Sequence, residues 1–216
     1  MIKEKYNSQY RQDEIVLDIL NYKRSGFFVD IGAHDGKELS NTYFMEKNLD
    51  WSGICIEPNP SVTEDLKKNR NCILETRPIS RTTGEDVFFY AHDEPMLSMT
   101  TWDGVSLMGP QGQVISKDTS TKMSGVSLKD LLVTNGAPKE IDYISMDIEG
   151  CEAEILHSFD FEAFDVKCWS IEWKSHGDTQ GVYNNKFFII EKLLINSYSI
   201  KGPSPPNVTP SFLNLY

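Results

Sequence analysis

The sequence is short of positive charge and has no long apolar run. Its 216 residues include 21 Lys and Arg against 32 Asp and Glu, which gives a net charge of -11. Nucleic-acid binding depends on Lys and Arg beside the phosphates, so no nucleic-acid partner is expected. No stretch approaches the roughly 20 apolar residues that span a bilayer, and segment 1–14 lacks the apolar core of a signal peptide. We therefore expect a cytoplasmic protein with no membrane anchor.

Cysteine and histidine are also scarce. The four Cys residues form no C-x-x-C pair and the four His residues form no H-x-x-x-H pair. This spacing disfavours a structural zinc site, a disulfide framework and a histidine-rich metal site. A reducing compartment fits such cysteine usage.

Over most of the chain, short apolar runs alternate with amphipathic segments. The predicted strands are 27–31, 51–56, 72–74, 141–148 and 166–173. The predicted helices are 10–23, 37–48, 60–69, 127–132, 151–158 and 186–195. This alternation is typical of an α/β fold with a Rossmann-like, doubly wound and mainly parallel sheet. The length fits a single domain over 1–216 with an N-terminal helical segment, 1–25.

The alternation stops in the middle of the chain. Segment 81–127 contains one clear β run, Val87 to Tyr90, and is otherwise rich in Ser, Thr, Gly and Asp. We predict a β-hairpin and a long loop inserted into the domain. Long loops in compact domains are usually functional, so this insertion is a candidate lid or substrate-binding element.

The first predicted strand leads into a glycine-containing loop. Asp30, Gly32 and Gly36 lie between this strand and the next predicted helix, with Ala33 and His34 between the glycines. Glycines allow a tight turn and close approach of a ligand, and a helix N-terminus favours an anionic group. A dinucleotide loop reads G-x-G-x-x-G and needs a middle glycine that this loop lacks. The loop thus favours S-adenosylmethionine, whose carboxylate would meet the helix and whose ammonium group would meet Asp30.

An acidic turn follows the second predicted strand. Glu57 comes 27 residues after Asp30 and is followed by Pro58 and Asn59. An acid at this strand end can accept hydrogen bonds from both ribose hydroxyls. Alone, Asp30 or Glu57 would be an ordinary polar residue at a strand end. In this order, on consecutive strands, they indicate cofactor binding.

A second acidic cluster lies at the ends of the fourth and fifth predicted strands. Asp147 and Glu149 point to the same side of an extended chain. They can orient or deprotonate a hydroxyl or bind a divalent metal, but Glu149 can also cap the next helix and Asp147 can make a structural hydrogen bond. Glu172 lies within an apolar strand, where a carboxylate needs a partner, and His176 beyond it is a candidate base.

These segments resemble the FkbM family of methyltransferases over most of the chain. The resemblance rests on Phe28 to Gly36 with Leu39 to Thr42, on Glu57 to Pro60, on the D-x-E-G signature within Ile144 to Gly150, and on Ile171 to Trp173. It implies transfer of a methyl group from S-adenosylmethionine to a hydroxyl, commonly on a sugar or a small metabolite. One departure is Ser145, since relatives often have Lys two residues before the signature Asp.

The sequence therefore predicts an O-methyltransferase with a small-molecule or carbohydrate acceptor. Asp147, Glu149 and Glu172 are the catalytic candidates, and the first two are also candidate ligands of a divalent metal. Asp30, Gly32, Ala33, Gly36, Glu57, Pro58 and Asn59 are the candidate cofactor-binding residues. The alternatives are an NAD-dependent oxidoreductase on the same fold and a non-catalytic module that binds a glycan or a partner.

Overall fold

The computed structural model describes residues 6–93, 98–102, 107–108, 114–115, 119–148, 151–174, 185–194 and 197–201. Its helices are α1 (Gln12–Ile19), α2 (Tyr43–Leu49), α3 (Thr63–Asn69), α4 (Leu128–Thr134) and α5 (Glu152–Ser158). Its strands are β1 (Phe27–Ile31), β2 (Ser52–Ile56), β3 (Ile73–Glu75), β4 (Ile79–Ser80), β5 (Asp86–Tyr90), β6 (Met99–Trp102), β7 (Leu107–Met108), β8 (Val114–Ile115), β9 (Thr121–Ser124), β10 (Val126–Ser127), β11 (Glu140–Met146), β12 (Asp165–Lys174), β13 (Asn185–Leu194) and β14 (Ser197–Lys201).

The central sheet has the strand order β14-β13-β12-β11-β1-β2-β3. Strands β3, β2, β1, β11 and β12 run parallel to one another, whereas β13 pairs antiparallel with β12 and β14 pairs antiparallel with β13. The fold is therefore mixed α/β with a mainly parallel sheet, which is compatible with the Rossmann-like architecture expected from the sequence. Strands β2 and β3 follow β1 on one side, and the chain then returns to place β11 on the other side of β1. The strand order therefore reverses at β1, and open α/β sheets bind ligands at such a reversal.

Apolar side chains cover both faces of this sheet. One cluster joins strand residues to Leu131 and Leu132 of α4 and to Ile155 of α5. The other joins Val16 and Leu17 of α1 to side chains of α2 and α3. Strands buried on both faces are nearly continuous apolar runs, which is why β1 could be recognised in the sequence.

The insertion contains more sheet than the predicted hairpin. Strands β6, β5 and β9 form a three-stranded antiparallel sheet, and β7 pairs with β8. Strand β4, just before the insertion, pairs in parallel with β10 at its end. The Ser127 hydroxyl accepts a hydrogen bond from the Asp130 N–H and caps α4, as its position in the sequence suggests.

Two predicted helices need correction. The described part of the predicted helix 186–195 belongs to strand β13 (Asn185–Leu194), which pairs antiparallel with β12 over seven residue pairs. Its aromatic and β-branched run, Phe187 to Ile190, suits a sheet and outweighs the helical spacing of its charges. The helix predicted from residue 37 begins only at Tyr43. The intervening turn contains Leu39 at φ 54°, so the backbone there is not helical.

None of the helices in the described ranges has the length and apolar character needed to cross a bilayer.

Candidate functional site

A cavity opens at the carboxyl ends of β1, β2 and β11. It encloses about 910 Å³ of space, part of it open to solvent. Its wall combines strand ends, the turn before α2 and part of the insertion. The lining residues are Asp30, Ile31, Gly32, Ala33, His34, Glu38, Leu39, Ser40, Asn41, Ile56, Glu57, Pro58, Pro78, Ile79, Phe89, Ser98, Met99, Thr100, Ser145, Asp147 and Ile148.

Gly32 brings the first strand end close to the fourth. It has φ +88°, and a Cβ there would overlap the backbone carbonyl oxygen of Asp147. The Asp147 N–H also donates to the Ile31 carbonyl at 2.9 Å. Gly32 is therefore required both for its backbone conformation and for this close approach. The contact puts Asp147 beside the loop that contains Gly32.

Glu57 lines the same cavity from the end of β2. Its Oε2 accepts a hydrogen bond from the His34 N–H at 2.9 Å, and its Oε1 accepts one from the Asn59 N–H at 2.8 Å. Burial raises the pKa of Glu57 to about 7, although these two hydrogen bonds oppose the rise. Asp30 and Asp147 add to it by repulsion. The turn thus fixes the carboxyl group at the cavity wall.

We expect Glu57→Gln to change how stability depends on pH. The folded-state pKa of about 7 exceeds the ordinary value of 4.5, so folding takes up a proton between these values. The stability that this proton uptake contributes is therefore complete below pH 4.5 and is lost as the pH rises through about 7. Chemical denaturation at several pH values should show that the substitution removes a slope of up to about 1.4 kcal/mol per pH unit.

The substitution also places an amide NH₂ against a backbone N–H, which lowers stability at every pH. The comparison therefore concerns the slope and not the absolute value. Equal slopes in the wild type and the variant between about pH 5 and pH 7 would contradict the prediction.

The other predicted cofactor residues divide into two groups. Ala33 and Pro58 lie on the cavity wall, whereas Gly36 and Asn59 lie behind it. A Cβ at Gly36 would come within 2.6 Å of the Leu66 and Arg70 side chains. The Asn59 side chain accepts from the Ser61 N–H and hydroxyl and donates to Ser98. Gly36 and Asn59 therefore shape the loops that carry the wall.

Asp30 lies at the centre of a buried polar network. Its Oδ2 accepts hydrogen bonds from the Thr42 hydroxyl at 2.5 Å and the Ser40 hydroxyl at 3.4 Å. The Arg70 guanidinium, with a fully buried side chain, lies 3.7 Å from the same oxygen. Burial raises the pKa of Asp30, and Arg70, Thr42 and Ser40 oppose the rise. Asp30 thus holds the turn that precedes α2.

A carboxyl pair lies next to this loop. Asp147 is on the cavity wall, and Glu172 of β12 is almost fully buried behind it. Burial and a hydrogen bond to Asp147 raise the pKa of Glu172 far enough that it keeps its proton at neutral pH. Glu172 Oε2 has no hydrogen-bond partner among the described residues. Protonated Glu172 therefore bonds to Asp147 behind the cavity wall.

The rest of the second acidic cluster is only partly described. Glu149, a candidate for catalysis and for metal binding, and His176 lie outside the described residues. Glu152 Oε1 accepts a hydrogen bond from the Ile148 N–H at 3.1 Å and so supports the turn after Asp147. Within the described ranges, no group of three or more His, Cys, Asp or Glu residues is arranged to hold a metal ion.

Sequence reasoning missed Arg70 and Asn41. Arg70 reaches Asp30 from the end of α3, where it looks like an ordinary residue closing a helix. The Asn41 amide donates to the Ser145 hydroxyl at 2.9 Å, so it is joined to β11 although 104 positions separate the two residues. The one available signal was indirect, because a buried Asp30 needs a partner.

A comparison with known protein families finds a match over most of the chain. The model of the methyltransferase FkbM domain matches residues 30–200, which include the glycine loop, the Glu57 turn and Asp147. No curated protein matches the chain significantly.

Proposed function

The chain belongs to the FkbM methyltransferase family, and we propose that it transfers a methyl group from S-adenosylmethionine to a neutral hydroxyl compound such as a sugar or small metabolite. The observation that supports this most is the cavity at the ends of β1, β2 and β11. Its wall brings together the glycine loop, Glu57 and Asp147.

The cavity fits an amino-acid-bearing nucleoside. The tight turn at Gly32 leaves room for a ligand against the backbone, and Glu57 can accept from ribose hydroxyls at the end of β2. Pro58, Ile79 and Phe89 form an apolar wall beside Glu57 that can cover an adenine. A nicotinamide dinucleotide fits less well, because the His34 N–H, in the middle of the loop, is already bonded to Glu57.

The acceptor follows from the charge of the wall. Four lining residues are acids, Asp30, Glu38, Glu57 and Asp147, and the described lining includes no Lys or Arg. An anionic acceptor, such as a phosphorylated sugar, would meet repulsion there. A neutral hydroxyl compound would not, and Phe89 and Met99 of the insertion offer it apolar contact.

The residues of the chain supply positioning and proton removal. S-adenosylmethionine, when bound, supplies a methyl group on a sulfonium that is already a good leaving group. Asp147 lies where the cofactor loop meets β11, so it can accept a hydrogen bond from the acceptor hydroxyl and then its proton. Glu172 donates a hydrogen bond to Asp147 from behind and orients it. The wall formed by the insertion limits the entry of water.

Calorimetry tests the cofactor. We expect S-adenosylmethionine and S-adenosylhomocysteine to bind and NAD to give no heat. Methyl transfer from labelled S-adenosylmethionine should then be measured with pairs of acceptors, each a neutral sugar and its phosphate. Transfer to the neutral member supports the acceptor class, whereas preference for the phosphate contradicts it. Binding of NAD without binding of either S-adenosyl compound would overturn the proposed function.

A further inference from the structure

Asn41 presents an unsatisfied acceptor to the cavity. The residue is only 8% exposed and lies on the cavity wall. Its Oδ1 is buried and has no hydrogen-bond partner among the described residues. Leaving a buried carbonyl oxygen unpaired costs about 1–3 kcal/mol, so a ligand that donates a hydrogen bond there is favoured.

A hydrogen bond to Ser145 of β11 sets which end of the Asn41 amide faces the cavity. The Asn41 NH₂ donates to the Ser145 hydroxyl at 2.9 Å. The Ser145 hydroxyl oxygen is the acceptor in this bond, so the NH₂ of Asn41 is already used on β11. The carbonyl of Asn41 is then the free end.

The position of Asn41 selects the part of the cofactor that it meets. In the sheet order, β2 carries Glu57, β1 carries the glycine loop and β11 carries Ser145 and Asp147. A cofactor whose ribose lies at Glu57 and whose sulfur lies near Asp147 must place its amino-acid end around β1 and β11. Asn41 is bonded to Ser145 of β11, so it lies beside that end.

We infer that Asn41 Oδ1 accepts a hydrogen bond from the α-ammonium group of the cofactor and so selects a nucleoside that carries an amino group. This rests on the proposed function. Asp30 Oδ2 is already occupied by Thr42, Ser40 and Arg70. Asp30 Oδ2 therefore holds the turn, and Asn41 Oδ1 adds a directional contact to the ammonium.

Ligands with and without the amino group test this inference. Asn41→Leu keeps the size of the side chain but removes its acceptor, and Asn41→Asp keeps an acceptor, with Ser145 free to rotate and donate to it. The ligands are S-adenosylhomocysteine, decarboxylated S-adenosylmethionine, which keeps only the amino group, and 5′-methylthioadenosine, which has neither amino nor carboxylate. Asn48→Leu on α2 is the control, because the Asn48 amide bonds the Phe44 carbonyl away from the cavity.

Titration calorimetry should show that Asn41→Leu binds S-adenosylhomocysteine and the decarboxylated compound about 10- to 100-fold more weakly than the wild type. This is the loss expected when a hydrogen bond to a charged group is removed. The affinity of Asn41→Leu for 5′-methylthioadenosine should stay within about twofold of the wild type. Asn41→Asp and Asn48→Leu should bind all three ligands at least nearly as well as the wild type. Circular dichroism and thermal melts establish that each variant is folded.

Other outcomes overturn the inference in separable ways. If Asn41→Leu binds S-adenosylhomocysteine more weakly but binds the decarboxylated compound as the wild type does, Asn41 contacts the carboxylate and not the amino group. Equal loss of all three ligands, or equal loss in Asn41→Asp and Asn41→Leu, would make its role structural, as would an unfolded Asn41→Leu variant. Unchanged binding would remove the role altogether. If the wild type binds no S-adenosyl compound, the proposed function fails first.

Discussion

Replacing Arg70 by methionine is expected to lower the free energy of unfolding by about 3–5 kcal/mol, because the variant leaves the buried Asp30 carboxylate without its cation. The Arg70 side chain is fully buried. Its Nε donates to Glu46 Oε2 at 2.7 Å, and another nitrogen lies 3.7 Å from Asp30 Oδ2. Methionine has a similar volume, so the loss reports the charge more than a cavity.

Arg70 also links two parts of the candidate cofactor site. Its guanidinium donates to the Gly36 carbonyl at 3.1 Å, to the Ser40 hydroxyl at 3.3 Å and to the Thr42 hydroxyl at 2.9 Å. The glycine loop and the turn before α2 therefore share one cation. We expect any folded Arg70→Met protein to bind S-adenosylhomocysteine more weakly as well.

Arg77→Met is the matched control. Arg77 forms a salt bridge with Glu75 at 2.7 Å, but its side chain is 45% exposed. Exposed pairs of this kind contribute about 0–1 kcal/mol. Urea denaturation of both variants at neutral pH compares the two arginines directly. If Arg70→Met costs no more than Arg77→Met, the buried network does not stabilise the loop.

The buried strands could be predicted because their residues are apolar on both faces. The predicted strand 27–31 coincides with β1, and the strands predicted at 51–56, 72–74, 141–148 and 166–173 overlap β2, β3, β11 and β12. The acids followed from the same pattern, since Glu57 and Asp147 come directly after such strands. Local sequence determines these features, and the parallel sheet then brings the strand ends together.

Tertiary contacts decided what the sequence could not show. The turn before α2 is held by Asp30 and by Arg70, which is 28 positions beyond Thr42. No local pattern in 37–42 reports that contact, so an early helix start was the natural expectation. The segment 186–195 fits a helix or a strand by its own spacing, and pairing with β12 selects the strand.

The candidate site shows the same division. Its carboxyl groups come from strand ends and were expected, whereas Asn41 acts through a hydrogen bond to Ser145. Ser145 was noted only because relatives often have Lys there. In this chain the smaller Ser145 side chain accepts a hydrogen bond from the Asn41 amide. Ser145 therefore orients Asn41 and places no charge in the cavity.

Asp147→Asn is expected to lower kcat for methyl transfer by about 10²- to 10⁴-fold, the usual contribution of a general base. Asparagine can still orient a hydroxyl but cannot take its proton at neutral pH. Binding of S-adenosylhomocysteine should change little, since the Asp147 backbone that contacts Gly32 is the same in the variant. Single-turnover transfer with a saturating neutral acceptor separates these two effects.

Glu172→Gln is the matched variant for the second carboxyl group. Because burial and Asp147 keep Glu172 protonated, its role at neutral pH is that of a neutral hydrogen-bond donor, which glutamine can also perform. We therefore expect kcat within about threefold of the wild type. A decrease in kcat as large as that of Asp147→Asn would mean that Glu172 itself removes the proton from the acceptor. Full turnover in Asp147→Asn would mean that another group removes it.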